Sequence, residues 1–207
     1  MLVLASASPR RRELLARLGI PFDVRPVSVI EDAGSANPTI VASRLARMKA
    51  EAARLLEPEA PVLAADTVVA HGGVLLGKPH DAAEAREMLR RLRGGSHRVV
   101  TAVAVIPRGG RAALLRHPET EVTLRRYTDA EIEASISRGH PFDKAGAYAI
   151  QDEQLRPVES YRGCYCNVMG LPLWSAIALL RRAGLDITVD AERLLAQCAS
   201  CPLRPLV

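Results

Sequence analysis

Hydroxyls at Ser6 and Ser8, guanidinium groups at Arg10, Arg11 and Arg12, ammonium groups at Lys49 and Lys78, and a carboxylate at Asp66 are the side chains here suited to handling a polyanion. The densest stretch is Leu2-Val3-Leu4-Ala5-Ser6-Ala7-Ser8-Pro9-Arg10-Arg11-Arg12. An apolar run short enough for a buried strand meets small hydroxyl residues, then a proline of the kind favoured at the first position of a helix. Ser8 reads as the N-cap. Arginines in the first turn oppose a helix dipole that favours acids there, so an anion is needed to offset them. Backbone N–H groups, hydroxyls and guanidinium forks together make a phosphate site; a solvated basic helix end is the plainer alternative. No Gly-x-x-x-x-Gly-Lys followed by Ser or Thr occurs, which excludes a P-loop.

Asp66-Thr67 follows Pro61-Val62-Leu63-Ala64-Ala65, which reads as a second buried strand delivering the carboxylate at its end. His71-Gly72-Gly73, between Val68-Val69 and Val74-Leu75-Leu76, signals a hairpin whose return arm brings Gly77-Lys78-Pro79 toward the same crevice. Open α/β sheets place ligand chemistry at the C-terminal edges of strands. A turn-opening aspartate and a solvated lysine are the alternatives at these positions. Asn37-Pro38 starts a helix whose buried face is Val41, Leu45, Met48, Ala52 and Leu55. Lys49 lies near the edge of that face and on pattern alone is a snorkelling surface lysine. The small residues of Asp143-Lys144-Ala145-Gly146-Ala147-Tyr148-Ala149-Ile150-Gln151 allow close backbone approach, for a tight strand crossing or a nucleotide contact.

The elements that must position these groups alternate between strand and helix. Asp81-Ala82-Ala83-Glu84 resembles a capping box opening a helix that runs to Gly94-Gly95, with Met88, Leu89 and Leu92 as its buried stripe. Arg98 to Ile106 is the strongest strand, Glu119 to Arg125 alternates like a strand with one wet face, and Thr128-Asp129-Ala130-Glu131 caps another helix. His97 and Trp174 read as structural. With 207 residues and 48% hydrophobic content the chain can bury a sizeable core. No apolar run reaches the length of a membrane span and no signal peptide is evident, so the expected compartment is the cytoplasm. A net charge of +5 and a pI near 9.3 suit polyanionic ligands. An aromatic share of 3% argues against base-stacking platforms for nucleic acid.

Cysteines occur as Cys164-x-Cys166 and Cys198-x-x-Cys201. Reduced, idle thiols are the favoured reading; a four-thiolate zinc site forms only if the C-terminal segment folds back onto the Cys164 loop.

Ser6-Ala7-Ser8-Pro9-Arg10-Arg11, Arg44 to Ala50, Ala65-Asp66-Thr67-Val68-Val69 with Leu76-Gly77-Lys78-Pro79, Asp143 to Gln151, and Asn167-Val168-Met169-Gly170-Leu171-Pro172-Leu173 resemble, in order, the signatures of the Maf family of nucleoside triphosphate pyrophosphatases. His97 and Thr101 also match that family's pattern. The resemblance runs from Leu2 to about Leu180. It implies an α/β fold, an elongated mixed β-sheet flanked by helices with two lobes around a central cleft, assembled as a homodimer.

The implied reaction is hydrolysis of a nucleoside triphosphate between the α and β phosphates, giving monophosphate and pyrophosphate. Asp66 is the implied general base, and Ser6, Ser8, Arg10, Arg11, Lys49, Thr67, Lys78 and Gln151 the implied substrate-binding residues. A divalent cation, Mg or Mn, is implied at Glu31 and Asp66, with Asp32 as an alternative to Glu31. An isolated aspartate, with a pKa of about 3.9, needs help from burial or a metal to act as a base. Arg10, Thr67 and Gln151 look like the dTTP/UTP-type pattern of base choice. The chain departs from the family at Gln151-Asp152, where a Gln-Gly pair is common, and at Cys164-Tyr165-Cys166. Residues 1–207 are expected to form a single domain in which 186–207 is a C-terminal extension, Asp190 to Cys198 being an added helix. A basic nucleic-acid-binding protein or septum-formation regulator without catalysis, and a nucleotidyl transferase, are the competing readings.

Overall fold

The computed structural model describes residues 1–30, 35 and 37–205, so Glu31 and Asp32 lie outside the described residues. The chain opens with strand β1 (Leu2–Leu4) and helix α1 (Pro9–Ala16), joined as expected: the Ser8 hydroxyl accepts from the Arg11 N–H and Pro9 begins the helix. Strand β2 (Phe22–Val24) and helix α2 (Pro38–Leu56) follow, and the Asn37 side chain caps α2 by accepting from the Thr39 and Ile40 N–H groups. A long hairpin, β3 (Val62–His71) and β4 (Val74–Leu76), turns through Gly72 and Gly73. Both glycines have positive φ, which the tight two-residue turn requires.

Helix α3 (Ala82–Leu92) leads to β5 (Ser96–Ile106), β6 (Leu114–Arg116) and β7 (Glu119–Leu124). Helix α4 (Asp129–Ser137), strand β8 (Val158–Arg162) and helices α5 (Tyr165–Met169) and α6 (Leu173–Arg182) complete the regular elements. Thr128 and Glu131 form a full capping box on α4. At α3, Asp81 accepts from the Glu84 N–H, while the Glu84 carboxylate reaches past the cap to the His80 N–H.

The strands form one mixed sheet in the order β2-β1-β3-β5-β7-β8, with β4 on β3 and β6 on β5. β1 is parallel to β2 and β3, and the other pairings are antiparallel. Successive strand residues point to opposite faces. Val62, Ala64 and Val68 of β3 therefore join Val100, Ala102 and Ala104 against α2, while Leu63 and Ala65 join Val103 and Val105 against α1 and α6. Helices α3 and α4 cover Val69, Val99, Val122 and Leu124 at the other end.

Three sequence expectations change here. The strand carrying Asp66 does not end there but runs ten residues, because its β-branched continuation pairs with β5 as far as Ala70. The buried stripe of α2 is Val41, Ala42, Leu45, Ala46, Ala50 and Ala53, with Leu55 83% exposed. Alanines let the helix lie close on the sheet, and that contact rotates Leu55 outward. Asp190 to Cys198 forms no α-helix; its only regular piece is a single 3₁₀ turn at Ala196–Cys198. Its apolar residues spread around an irregular path, and Val189, Leu194, Leu195, Cys198 and Cys201 dock on the same apolar cluster as α6. The Trp174 indole donates to the Cys198 carbonyl at 3.0 Å, so Trp174 packs as expected.

Candidate functional site

The site lies where the sheet is incomplete. β1 pairs with β3 only at Val62 and Leu63, and β4 pairs with the same edge only from Val69 onward. Between them, residues 64–68 of β3 have no neighbouring strand on that edge among the described residues. The crevice rule therefore applies to β1, whose C-terminal end opens the gap, while Asp66 and Thr67 sit mid-strand on the exposed edge of β3. A cleft of about 460 Å³ occupies the gap. Ser6, Ser8, Arg10, Arg11, Lys49, Asp66, Thr67, Lys78 and Gln151 all line it. Of the residues expected from the sequence, only Glu31 is missing, and it falls outside the described residues.

Each reaches the cleft by a different route. Asp66 points to the α2 face, where the Lys49 ammonium lies 2.6 Å from its Oδ1. Both side chains are nearly buried, 12% and 10% exposed, so Lys49 is no surface lysine: it belongs to the sheet-facing side of α2. Thr67 points to the opposite face. There Arg11 donates from Nη2 to the Thr67 hydroxyl at 3.1 Å, from Nε to the Gly170 carbonyl at 2.9 Å and from Nη1 to the Ser6 hydroxyl at 3.3 Å. Ser6 also accepts from the Ser8 N–H at 3.2 Å, which folds the loop over the start of α1. Lys78 comes in after the hairpin. The Gly77 carbonyl that precedes it accepts from the Gly146 N–H at 2.9 Å. Gly146 has φ +70 and a Cβ there would stand 3.2 Å from Val69, so the close approach inferred for this stretch is real, as a 3₁₀ turn (Ala145–Ala147) against β3 and α3 and not as a strand crossing.

Thr67 is one end of a neutral hydrogen-bonded network behind the cleft. Its hydroxyl lies 2.9 Å from that of Thr101, which donates to the Asn167 carbonyl at 2.7 Å. The Asn167 side chain accepts from the Thr101 N–H at 3.0 Å and donates to the Val99 carbonyl at 2.8 Å and the Thr120 hydroxyl at 2.9 Å. Asn167 is fully buried and both ends of its amide are satisfied. Helix α5 thus ties the last signature to β5 and β7, and ends at Gly170, whose φ of +110 turns its carbonyl toward Arg11.

Some lining residues were quoted in the sequence stretches without a role. Asp143 is the partner of Arg10, 2.6 Å from Nη1, and Lys144 also binds its carboxylate. Burial raises the Asp143 carboxyl, but hydrogen bonds from Lys144 and Arg10 outweigh it and hold the group below the ordinary carboxylate range. Tyr148 lines the cleft and its hydroxyl lies 2.7 Å from His97 Nε2. Burial pushes the His97 imidazole down to about 4, with the charge of His71 adding to it. A protonated ring must donate from both nitrogens, and Nδ1 is buried with no acceptor, so His97 is structural as expected. Asp152, the departure beside Gln151, accepts from the Gln154 and Leu155 N–H groups at 3.0 Å and pairs with His140 at 2.9 Å, pinning the loop that carries Gln151. The Gln151 Oε1 atom is buried and has no protein donor.

A divalent cation meets a suitable donor set here only in company. Among the described residues no three His, Cys, Asp or Glu side chains stand together to hold a metal. Asp66 is one carboxylate on the cleft floor, and small hard cations at phosphate sites are commonly held by one or two carboxylates plus the phosphates themselves. The residues fit a cation that arrives with a triphosphate.

Comparison with known proteins finds relatives along most of the chain. A family model described as "Maf-like protein" matches residues 1–183. A protein of Thermomicrobium roseum called dTTP/UTP pyrophosphatase is 55% identical over 207 residues, covering 99% of this chain and 94% of that protein. Proteins of the same name from Myxococcus xanthus and Anaeromyxobacter dehalogenans are each 49% identical over 90% of this chain, covering 94% and 95% of their own lengths. With its signatures gathered around one cleft and the match spanning most of its length, the chain belongs to the Maf-like protein family.

Proposed function

We propose that this protein hydrolyses nucleoside triphosphates between the α and β phosphates, releasing a monophosphate and pyrophosphate, with dTTP and UTP as preferred substrates. The observation that carries the reading is the shared cleft: Arg11, Lys49 and Lys78 face it together with the Asp66 carboxylate and the Ser6 and Ser8 loop at the start of α1. A triphosphate brings charge that must be neutralised before water can attack phosphorus, and preorganised cations do this at little reorganisation cost. Arg11 is held on three oxygen acceptors, so its guanidinium is fixed before substrate arrives. Asp66 accepts the proton of the attacking water as the O–P bond to the α phosphorus forms and the bond to the pyrophosphate oxygen breaks. Lys49, 2.6 Å from that carboxylate, is close enough to serve both the acid and a phosphate oxygen. Mg or Mn, held by Asp66 and by Glu31 in this reading, supplies further neutralisation of the phosphate oxygens.

Base choice in this reading rests on Arg10, Thr67 and Gln151, all of which line the cleft. The side-chain amide of Gln151 can accept from the N3–H donor that uracil and thymine carry, where cytosine presents an acceptor. Arg10, paired with Asp143, borders the same cleft. Thr67, bonded to Arg11 and Thr101, contributes by holding Arg11 in place.

Much of the positive charge outside the cleft is paired, as in Arg86 with Glu133, Arg90 and Arg93 with Asp129, and Arg125 with Glu131, which does not favour the nucleic-acid reading. No helix of the described residues is long and apolar enough to cross a membrane. The test is a panel of nucleoside triphosphates with added Mg or Mn and no acceptor, reading monophosphate and pyrophosphate together. Equal amounts of the two, largest for dTTP and UTP, are expected. Orthophosphate as the product, or salt-sensitive DNA binding with no turnover, overturns the reading. Light scattering of the same preparation tests the homodimer that belongs to it.

A further inference from the structure

The C-terminal segment does fold back onto the Cys164 loop, which was the condition for a four-thiolate site. Cys164, Cys166, Cys198 and Cys201 are 1–6% exposed and lie in one apolar cluster with α1 and α6. Cys166 Sγ is 3.4 Å from Cys198 Sγ, and Cys164 and Cys201 are buried in the same cluster beside them. The contact brings together two pairs that are 32 positions apart at Cys166 and Cys198. Cys164 is the N-cap of α5 and Cys166 lies in its first turn, while the Cys201 N–H donates to the Cys198 carbonyl, closing a tight turn.

We propose that these four cysteines bind a structural zinc ion as thiolates, clamping residues 184–205 to the body of the fold. Zinc is soft enough to select an all-sulfur set and takes four ligands tetrahedrally. A Zn–S bond of about 2.3 Å places neighbouring sulfurs about 3.8 Å apart, close to the contact already made by Cys166 and Cys198. As protonated thiols they are gathered and do not yet form a finished cage; among the described residues no three ligand-type side chains stand ready around one point. Binding zinc releases the thiol protons and replaces S–H···S contacts with four Zn–S bonds, with no oxidant required.

Two features favour a metal over a disulfide. All four thiols are free and buried together, and one zinc ion engages all four without the oxidant that disulfides would require. The segment they hold has a single 3₁₀ turn as its regular structure, and irregular segments of this kind are commonly fixed by a metal. None of the four cysteines lines the cleft, so the site is separate from the pyrophosphatase reading and stands or falls without it.

The full chain, purified without chelator, is analysed for zinc by plasma mass spectrometry. About one zinc ion per chain is expected, with the thiols unreactive to an aromatic disulfide reagent until chelator is added. Metal-free protein titrated with cobalt is expected to give thiolate-to-cobalt charge-transfer and tetrahedral ligand-field bands saturating near about one equivalent. Cys198→Ser and Cys201→Ser should each lower zinc content to about a tenth or less, whereas Asp66→Asn should retain it, separating this site from a catalytic cation. Zinc-free wild-type protein that gives no cobalt bands overturns the proposal even if the serine variants fail to fold. So does a Cys166–Cys198 disulfide in the native protein.

Discussion

Asp66 and Thr67 are adjacent on one strand, yet the polar groups around them follow opposite rules. On the α2 face, Asp66 meets a charged partner, Lys49, at the floor of an open cleft. On the other face, Thr67 begins a neutral network through Thr101, Asn167 and Thr120 that is shut away from solvent. A charged pair in a cleft can exchange its interactions for those of a polyanion without unpairing anything permanently. A buried neutral network cannot, because each lost bond strands a donor or acceptor at a cost of about 1–3 kcal/mol. The α2 face is therefore suited to chemistry and the Thr67 face to holding Arg11 still.

The largest effect that tests this division is expected at Asp66. Asp66→Asn keeps an acceptor for Lys49 but removes the base, so kcat should fall about 10³-fold while the denaturation midpoint hardly moves. A parallel loss of stability would place Asp66 with the structural network instead. Asn167→Ala should show the reverse. It removes bonds to Thr101, Val99 and Thr120 and should cost about 3 kcal/mol in urea unfolding. The fraction that remains folded should turn over within about threefold of the wild-type rate. A kcat collapse in the folded fraction would show that the network acts in the reaction.

The third prediction concerns pH. His97 titrates at about 4 in the folded protein against an ordinary 6.5, so the unfolded chain binds more protons between these values. The His97 contribution to stability should therefore be constant above about pH 7 and fall as the pH drops from 6.5 through 4, by up to about 3 kcal/mol. Urea titrations at pH 7 and 4.5 measure it. His97→Phe should flatten that slope; an unchanged slope would assign it to other groups. The smallest effect is expected at Gly170→Ala. The new Cβ would meet Thr67 Oγ1 at 3.3 Å and Arg11 Nε at 3.5 Å in a backbone of φ +110, costing about 1–3 kcal/mol. Because Arg11 moves, KM should rise more than kcat falls. The opposite split would detach Arg11 from ground-state phosphate binding.

Local patterns that satisfy themselves within a few residues were legible. The Ser8-Pro9 and Asn37-Pro38 helix starts, the Gly72-Gly73 turn and the α3 stripe all form where the sequence predicts them, because caps and tight turns depend on neighbouring residues. The stripe of α2 was misassigned: spacing permits several faces, and only the sheet selects the alanine-lined one. The tail helix failed for a related reason: Val189, Leu194 and Leu195 pack on the α6 cluster along an irregular path, a contact that local spacing does not record. Of the cleft, Asp66 and Lys78 could be grouped through the hairpin, but the Arg10–Asp143 pair spans 133 positions and has no local signal.

By itself the sequence determined the inventory: which residues could carry charge to a phosphate, which could take a proton, and which short segments would be strand, turn or helix start. Only the tertiary structure decided that β1 stops short of β3, leaving the bare edge on which those groups meet, and that the tail returns its cysteines to α5. Both depend on contacts between distant segments, where the free energy comes from burying faces together and no local preference records the partner.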